Sequence, residues 1–572
     1  MSLVEPSRFY ATFTAQPPGA LALALVSVVL ILPLLLHGPL RKKSSLPLPP
    51  SPKGYPLIGN LVDLVEYAKE GNTHHLFRRW SKQHGEIFRV SFGSQESYYL
   101  NSDKVVKAVM DKKSATTSGR PRWISSSEHM TNNWNVLLLD AAKPRWKQHR
   151  KTVNSSLTGA ARADDILPYL HYESAKFLSQ VANSEQTVPH EQLFRTILRY
   201  TYSVFSLQMF GMDVPENEDR VIDDIHETGV ALILGTLPGV SYVDTFPLLD
   251  RLPLAFKPWE RRDRERFHRD VRFCMEKVKR IREEKLKGVS QKAFLPSIVS
   301  SGDLQGFETL EEASFTALGL VLGGADTSAI STWSFLEAML LFPDVQSKAR
   351  KLILEVVGDR MPVYEDLHEI PYVRCLMKET WRWRPPVPLG HPHVTKEDID
   401  YEGYRIPKGA ELHLNAYAIG HDEKRHYDPD SFVPERYQED TTTSIQSMNL
   451  ADATKRDHFA FGSGRRACPG YHLAERSLSI AIMRILSTFE ICPSADAELP
   501  LDNDKFEGGL MPGSPDERMP ISLRLLDGRK EVVSKYFDDA KTSWPAFEPL
   551  VHASNGKGAF EPLSFARGSQ SH

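Results

Sequence analysis

The sequence predicts a mainly α-helical protein with small β-sheets, an α+β fold that forms one large domain. Two observations support this prediction. Apolar residues recur at helical spacing in nine segments, most of them long, whereas runs with strand-like composition are few and short. Between residues 60 and 525 there is no second linker, internal repeat or low-complexity tract that would divide the chain.

The predicted elements follow in chain order. Helices are predicted at His75–His84, Pro144–Ser155, Ile166–Val181, Leu193–Met209, Phe267–Glu284, Thr309–Phe342, Val345–Val357, Val373–Arg384 and Tyr471–Phe489. Strands are predicted at Ile87–Phe92, Ser97–Leu100, Ile399–Tyr401, Tyr404–Ile406 and Glu411–Asn415. Helices therefore dominate, and the strands are too few for a large sheet.

Composition excludes several functional classes. The 572 residues carry a formal net charge of −3, which is too small for nucleic acid to be the main partner. The four cysteines show no CxxC or CxxH spacing, so neither a disulfide framework nor a zinc module is expected. This cysteine usage is typical of a reducing compartment.

The N-terminal segment Ala20–Leu36 predicts a transmembrane helix. Its seventeen residues carry no charge, and as a helix they would span roughly 25 Å, the short end of a bilayer core. Arg41, Lys42 and Lys43 follow, so residues 1–19 are expected in the lumen and everything after residue 40 in the cytosol. The alternative is a cleaved signal peptide, but a basic start and an AxA-type cleavage site are missing. We expect a single-pass protein of the endoplasmic reticulum membrane.

Three further regions follow the predicted anchor. Residues 37–60 form a basic and proline-rich hinge, which predicts a stiff, extended connector. Residues 61–528 form the predicted catalytic domain. Residues 529–572 are polar and end in a stretch rich in Gly, Ser and His, so we expect a poorly ordered tail.

The strongest chemical signal is the segment Phe461-Gly-Ser-Gly-Arg-Arg-Ala-Cys468-Pro-Gly470. Its glycines and proline predict a tight loop, and an amphipathic helix begins at Tyr471. A thiolate at a helix N-terminus is stabilised by free N–H groups and by the helix dipole, and it suits a soft metal. The alternative is a buried, inert cysteine, which is the commoner fate of a single cysteine.

This segment resembles the cysteine loop of the cytochromes P450, F-x-x-G-x-R-x-C-x-G, at every fixed position: Phe461, Gly464, Arg466, Cys468 and Gly470. The resemblance implies the cytochrome P450 fold and a haem b cofactor whose iron takes Cys468 as axial ligand. Thiolate ligation of haem favours cleavage of the O–O bond. The anchor and hinge are similar to those of the microsomal branch.

Two other motifs of this family stand in the right order. Glu379 and Arg382 share a helix face and by themselves are only an ordinary ion pair. They resemble the E-x-x-R element, which pairs with the arginine of a segment matched here by Pro434-Glu435-Arg436. The resemblance implies that Glu379, Arg382 and Arg436 form a structural ion-pair network.

Gly323-Gly324-Ala325-Asp326-Thr327-Ser328 lies inside a long apolar helix. Two glycines in a helix cost roughly 1 kcal/mol each relative to alanine, and close approach of a flat cofactor would explain them. The alternative is helix–helix packing. The segment resembles the family's oxygen-activating element, which implies that Thr327 hydrogen-bonds dioxygen and that Asp326 controls the proton supply.

The family resemblance also implies contacts to the haem propionates. Trp146 and Arg150 match the W-x-x-x-R element and share one helix face. His393, after Pro392, resembles the position of another propionate donor. Lys147, His149, Arg150 and Lys151 would form a basic edge that attracts an acidic flavoprotein, although a solvated helix face is equally compatible for the two lysines.

The pocket is expected near residues Trp123–Trp134, Leu320–Ala325, Val387–Leu389 and Glu507–Met511. Most of these side chains are apolar or small, which favours a lipophilic substrate. The segment Val230–Trp259 is compatible with either core or a loop that dips into the bilayer.

The resulting hypothesis is a haem-thiolate monooxygenase that hydroxylates or epoxidises a lipophilic small molecule, in secondary-metabolite biosynthesis or detoxification. No dinucleotide-binding motif is present in the sequence, so electrons would come from NADPH through NADPH–cytochrome P450 reductase, with cytochrome b5 as a possible second donor. The alternatives are a haem-thiolate isomerase or dehydratase that needs no reductase, and a non-enzymatic haem-binding sensor or scaffold. The intact pair of Asp326 and Thr327 argues against both.

Overall fold

A computed structural model of the chain describes residues 46–56, 58–69, 73–93, 95–184, 190–217, 220–237, 240–288, 292–495, 497, 499, 501, 519–543 and 548–549. The predicted anchor at Ala20–Leu36, the pocket segment Glu507–Met511 and the end of the chain after residue 549 lie outside these residues.

Helices make up most of the described chain. They are α1 (Leu61–Lys69), α2 (Thr73–His84), α3 (Asp103–Val106), α4 (Pro144–Leu157), α5 (Ala160–Asp164), α6 (Leu167–Ala182), α7 (His190–Phe210), α8 (Arg220–Leu234), α9 (Tyr242–Thr245), α10 (Pro258–Leu286), α11 (Phe294–Ser301), α12 (Leu310–Leu341), α13 (Pro343–Val357), α14 (Pro371–Trp383), α15 (Ala416–Gly420), α16 (Ser444–Met448), α17 (Tyr471–Thr488) and α18 (Arg529–Ser543). All nine predicted helices are present, with ends shifted by a few residues in most cases.

The strands form four small sheets. They are β1 (Ile87–Phe92), β2 (Gln95–Leu100), β3 (Met212–Asp213), β4 (His393–Val394), β5 (Ile399–Tyr401), β6 (Tyr404–Ile406), β7 (Glu411–Leu414), β8 (Phe489–Pro493), β9 (Ile521–Leu525) and β10 (Glu548–Pro549). The largest sheet has the order β1-β2-β7-β4, with β1 and β2 antiparallel and β2 and β7 parallel. The α+β prediction is confirmed.

Helix α12 forms the centre of the core. It begins at the N-cap Thr309, whose hydroxyl accepts a hydrogen bond from the backbone N–H of Glu312. It packs against α7, α10 and α17, and most of its side chains are buried. By length and composition α12 could cross a membrane, but two thirds of its apolar window is buried inside the protein, as expected for a core helix.

The described part of the proline-rich hinge lies against the sheets. The carbonyl of Pro47 accepts a hydrogen bond from the backbone N–H of Arg405, and that of Pro50 accepts one from Arg89, both at 2.9 Å. Prolines have no N–H to donate, so their carbonyls supply the contacts. The connector is extended as expected, and it is attached to the catalytic domain rather than a free spacer.

The prediction of a poorly ordered tail from residue 529 is wrong for residues 529–543. They form α18, which packs against α6. Val533 is buried, and the Tyr536 hydroxyl accepts a hydrogen bond from the buried guanidinium of Arg484. Two residues three positions apart on one helix face therefore connect α18 to the core, although the surrounding sequence is polar.

Candidate active site

The loop before α17 holds Cys468 at the start of that helix. A 3₁₀ turn at Gly464–Arg466 precedes it, and the Cys468 backbone N–H donates to the carbonyl of Phe461 at 2.9 Å. The N–H of Gly470 points at the Cys468 Sγ, 3.3 Å away. The Phe461 ring packs edge-on against Trp381, with centroids 4.9 Å apart. The predicted loop and helix start are both present.

Gly464 is required by the shape of this loop. Its φ is +72°, a conformation that residues with a side chain rarely adopt. A Cβ at this position would lie 2.3 Å from the carbonyl oxygen of Met110. Because that oxygen belongs to the backbone, no movement of a side chain could relieve the clash. Any other residue would move the turn that leads to Cys468.

Burial raises the pKa of the Cys468 thiol, although the Gly470 N–H and the charge of Arg150 act in the opposite direction. Desolvation thus outweighs the one N–H group and the one cation that stabilise the thiolate. A bound metal ion deprotonates a coordinating thiol, so the buried thiol remains compatible with ligation.

Two arginines connect this loop to other segments of the chain. Arg150, on α4, donates to the carbonyl of Ala467. Arg466 donates to the carbonyl of Ser118 at 2.7 Å and to that of Leu139, and its guanidinium lies 4.9 Å from the centre of the Trp146 ring. Trp146 itself is buried. The structure thus brings together Trp146, Arg150 and Arg466, as the sequence predicts.

Sequence reasoning missed a third arginine, Arg120. It is buried, and its guanidinium donates to the carbonyls of Leu137 at 2.8 Å and His391 at 3.0 Å. Its only sequence signal is its position between Gly119 and Pro121, which predicts a turn but no charge partner. Burial lowers the pKa of Arg120 well below its usual value, and the charges of Arg466 and Arg150 lower it further.

The surroundings of these three arginines are strongly positive. Burial lowers the pKa of Arg466 to about 9; Asp140 opposes this shift, and Arg150 adds to it. Asp140 also accepts from the backbone of Arg120 and pairs with Lys396. Glu411 is a second carboxylate whose charge acts on Arg120. Buried cations that repel one another are costly without an anion. The geometry is that of a site for an anionic group.

His393 lies beside the same arginines. Its Nδ1 is 2.9 Å from the carbonyl oxygen of Thr117, which can only accept, so Nδ1 carries the hydrogen. Burial lowers the pKa of His393 well below its usual value, with further lowering by Arg120 and Arg466. In the neutral imidazole Nε2 is therefore an acceptor. His393 can donate a hydrogen bond to an anion only after Nε2 is protonated, which the negative charge of the anion favours.

Asp326 and Thr327 face different sides of α12. The Thr327 hydroxyl donates to the carbonyl of Gly323 at 2.8 Å and remains partly accessible, and Gly323 itself is exposed. Asp326 is buried and accepts a hydrogen bond from Tyr202 of α7. Gly323 and Thr327 therefore present accessible surface, here called the hollow, in the middle of a mostly buried helix.

The two glycines of this segment serve different purposes. A Cβ at Gly324 would lie 2.4 Å from the ring of Phe205 on α7, so Gly324 allows two helices to pack closely. At Gly323 the nearest atom would be 3.9 Å away, on Leu137. Cofactor approach therefore remains a reason for Gly323 alone, and helix packing explains Gly324.

Glu379, Arg382 and Arg436 form one buried ion-pair network. Both oxygens of Glu379 accept from Arg382, at 2.7 and 2.8 Å, and Oε1 also accepts from Arg436 at 3.2 Å. Arg382 additionally donates to the carbonyls of Gly420 and Pro429. The network ties α14 to the segment that leads to the Cys468 loop.

Comparison with known proteins decides the family. The cytochrome P450 family model matches residues 49–517. The chain belongs to the cytochrome P450 family. It is 47% identical over 544 residues to a cytochrome P450 monooxygenase of Gibberella fujikuroi, covering 94% of this chain and 99% of that protein. It is 33% identical to the cytochrome P450 monooxygenase virE of Hypocrea virens (88% and 92%) and 32% identical to verL of Clonostachys rogersoniana (79% and 82%).

The predicted P450 membership and enzyme class are thus confirmed: the protein is an oxidoreductase of the cytochrome P450 monooxygenase class. The family implies a haem cofactor, and the residues present fit it. A haem carries two propionates, which would neutralise the positive charge at Arg120, Arg150 and Arg466. The accessible surface at Gly323 and Thr327 leaves room for a flat group beside α12.

The predicted basic edge is only partly present in this P450. Lys147 and Lys151 are exposed, but His149 is buried and its Nε2 lies 3.2 Å from the carboxylate of Glu312. His149 therefore belongs to the contact between α4 and α12. Arg465, which the prediction omitted, is exposed in the Cys468 loop.

Proposed function

We propose that this P450 binds haem b through Cys468 and uses electrons from NADPH, delivered by NADPH–cytochrome P450 reductase, to insert one atom of dioxygen into a lipophilic small molecule. The observation that carries the proposal is the site itself: a cysteine at a helix start beside one buried arginine, Arg120, and two half-buried ones, Arg150 and Arg466, and a helix that is accessible at Gly323. When bound, the haem would accept these electrons and supply the site at which dioxygen is activated.

The proposed role of each residue follows from its position in the site. Cys468 would ligate the iron, and Phe461, Gly464 and Gly470 fix the loop that presents its sulfur. Arg120, Arg150 and Arg466 would bind the propionates, Trp146 would hold Arg466 in place, and His393 would join them once protonated. Glu379, Arg382 and Arg436 hold the surrounding backbone and touch no reacting atom.

On α12, the Thr327 hydroxyl would hold dioxygen by a hydrogen bond and pass it a proton. The hydroxyl now donates to the Gly323 carbonyl, and it can rotate toward the hollow. Asp326, the next residue, would supply that proton from the α7 side. An isomerase needs no such pair, which favours the monooxygenase.

Electron delivery is proposed on the Cys468 side. Lys147, Lys151 and Arg465 are all exposed, on α4 and on the Cys468 loop. Exposed cations steer an acidic partner toward a surface and orient it there. A reductase or cytochrome b5 with an acidic face would therefore dock close to the iron ligand.

Membrane association is proposed from a second surface. Between α8 and α10 the chain exposes large apolar side chains, most strongly Leu254 (65%) and Phe256 (66%), with Leu237, Tyr242, Leu248 and Leu252 nearby in sequence. Exposed apolar patches of this kind are typical of contacts with lipid or protein. We propose that this segment touches the endoplasmic reticulum membrane together with the anchor at Ala20–Leu36, which would admit lipophilic substrates, whether for secondary-metabolite biosynthesis or detoxification.

Isotope-labelled dioxygen tests this function. The full chain in membranes with reductase and NADPH is incubated with a set of lipophilic compounds under ¹⁸O₂. We expect one ¹⁸O atom in the product and the other in water. Conversion that proceeds equally without NADPH, or that incorporates no ¹⁸O, would contradict the monooxygenase and favour the isomerase or dehydratase.

A further inference from the structure

Three polar side chains from three helices meet behind the hollow at Thr327. The hydroxyl of Tyr202 on α7 donates to Oδ1 of Asp326 on α12. The Nδ1 of His226 on α8 lies 3.3 Å from the same oxygen and 3.4 Å from the Tyr202 hydroxyl. No role was assigned to Tyr202 or His226 from the sequence.

Their burial is graded toward the surface. Tyr202 is fully buried, the Asp326 side chain is 3% exposed and that of His226 is 16% exposed. Of the three, His226 alone has appreciable contact with solvent. An imidazole has two nitrogens, so it can take a proton on Nε2 and release one from Nδ1.

Tyr202 cannot share this task. Burial raises the pKa of its hydroxyl well above the usual value, and the charge of Asp326 raises it further. The hydroxyl therefore stays protonated and acts only as a donor, which holds Oδ1 of Asp326 in place. Oδ2 has no hydrogen-bond partner among the described residues.

Helix α8 comes unusually close to that oxygen. A Cβ at Gly229, one turn after His226, would lie 2.7 Å from Oδ2 of Asp326. The glycine thus brings α8 near enough for His226 to reach the carboxylate. Burying a carboxylate with one hydrogen-bonded oxygen and one without a partner costs free energy. A functional role for the carboxylate would explain why this cost is accepted.

We propose that His226 is the residue through which protons from solvent reach Asp326, and that Tyr202 positions the carboxylate to receive them. Water protonates Nε2, Nδ1 passes a proton to the Asp326 carboxylate, and the carboxylic acid releases it toward Thr327. The imidazole is then left with its hydrogen on Nε2, and exchange with solvent or a ring flip restores Nδ1–H before the next proton passes. No net charge accumulates over the cycle. This inference rests on the proposed monooxygenase function and concerns how that site is supplied.

The decisive variant is His226→Asn, because the amide NH₂ can keep the hydrogen bond to Asp326 but cannot relay a proton. Dioxygen consumption with reductase and NADPH requires protons from solvent. Oxidation of guaiacol by added hydrogen peroxide does not, since peroxide brings its own protons. We expect the rate of dioxygen consumption to fall about 10²-fold, the lower end for a positioned proton donor. The rate of guaiacol oxidation should change less than about 2-fold.

The matched control is Glu227→Gln, the adjacent residue, whose exposed carboxylate pairs with Arg266. It should leave both rates unchanged. A spectroscopic readout is independent of turnover: ¹⁵N spectra of histidine-labelled holoenzyme, reduced and bound to carbon monoxide, should show a protonated Nδ1 for His226 that is lost in Asp326→Ala.

The outcomes separate the two proposals. The relay through His226 is wrong if His226→Asn lowers both rates together or lowers neither. It is also wrong if the ¹⁵N signals of His226 do not change in Asp326→Ala. If the wild-type holoenzyme consumes no dioxygen with NADPH and reductase, the monooxygenase proposal fails instead.

Discussion

The guanidinium of Arg150 donates a hydrogen bond to the carbonyl of Ala467, the residue immediately before Cys468. Helix α4 is thereby attached to the loop that presents the cysteine. The same guanidinium lies close enough to Arg120 and Arg466 for its charge to lower the pKa of both. One residue thus connects the loop that presents Cys468 to the cluster of cations proposed to bind the haem propionates.

Arg120→Leu should weaken haem binding. The variant removes one of the donors proposed for a propionate, and a hydrogen bond to a charged group contributes about 1.5–3 kcal/mol. The haem-to-protein ratio after purification and the rate of haem transfer to apomyoglobin measure the effect. Arg122→Leu is the control, because that side chain is 63% exposed and pairs with Glu128. Equal haem retention in both variants would contradict the assignment of Arg120.

Thr327→Ala should retain haem and accept electrons, because neither step uses its hydroxyl. Loss of a positioned proton donor typically slows the dependent step by about 10²–10⁴-fold. We expect NADPH to be consumed while hydrogen peroxide accumulates in place of oxygenated product. The measurement is peroxide formed per NADPH. An unchanged ratio in both Thr327→Ala and Asp326→Asn would exclude the proposed proton relay and strengthen the isomerase alternative.

Removal of residues 1–40 should release only part of the protein from membranes. The apolar side chains of Leu254 and Phe256 remain exposed in the truncated protein and would keep it in contact with lipid. Adding Leu254→Ser and Phe256→Ser should then release most of it into the soluble fraction, as measured by flotation with liposomes. If the truncated chain is already fully soluble, this surface does not bind membranes.

Tyr536→Phe should lower the free energy of unfolding by about 1–3 kcal/mol, the cost of leaving a buried donor without its partner. The donor is Arg484, which is buried and also binds the carbonyl of Pro362. Thermal unfolding of the holoenzyme measures the change. Asp538→Asn is the control, because this side chain of the same helix is 65% exposed and pairs only at the surface with Lys541; it should leave the unfolding temperature unchanged. An unaltered unfolding temperature in Tyr536→Phe would show that α18 contributes little.

Local patterns in the sequence were sufficient for the helices and for the loop around Cys468. These patterns were not sufficient to predict contacts between distant segments. Arg120 has no local partner in sequence, and its meeting with Arg466 depends on how two loops fold together. His149 follows the same helix as Arg150 but points inward to Glu312, which only the packing of α4 on α12 determines. Helix α18 has a polar sequence, and its contact with the core depends on a few side chains, among them Arg529, Val533 and Tyr536.

The central claim is that Cys468 ligates haem iron, and the spectrum of the reduced protein with carbon monoxide tests it most directly. The wild-type protein should show the red-shifted Soret band of thiolate ligation. Cys468→Ser should lose that band, whereas serine at Cys274, Cys375 or Cys492 should preserve it, because none of these lies in the loop before α17. Survival of the band in Cys468→Ser would contradict the account.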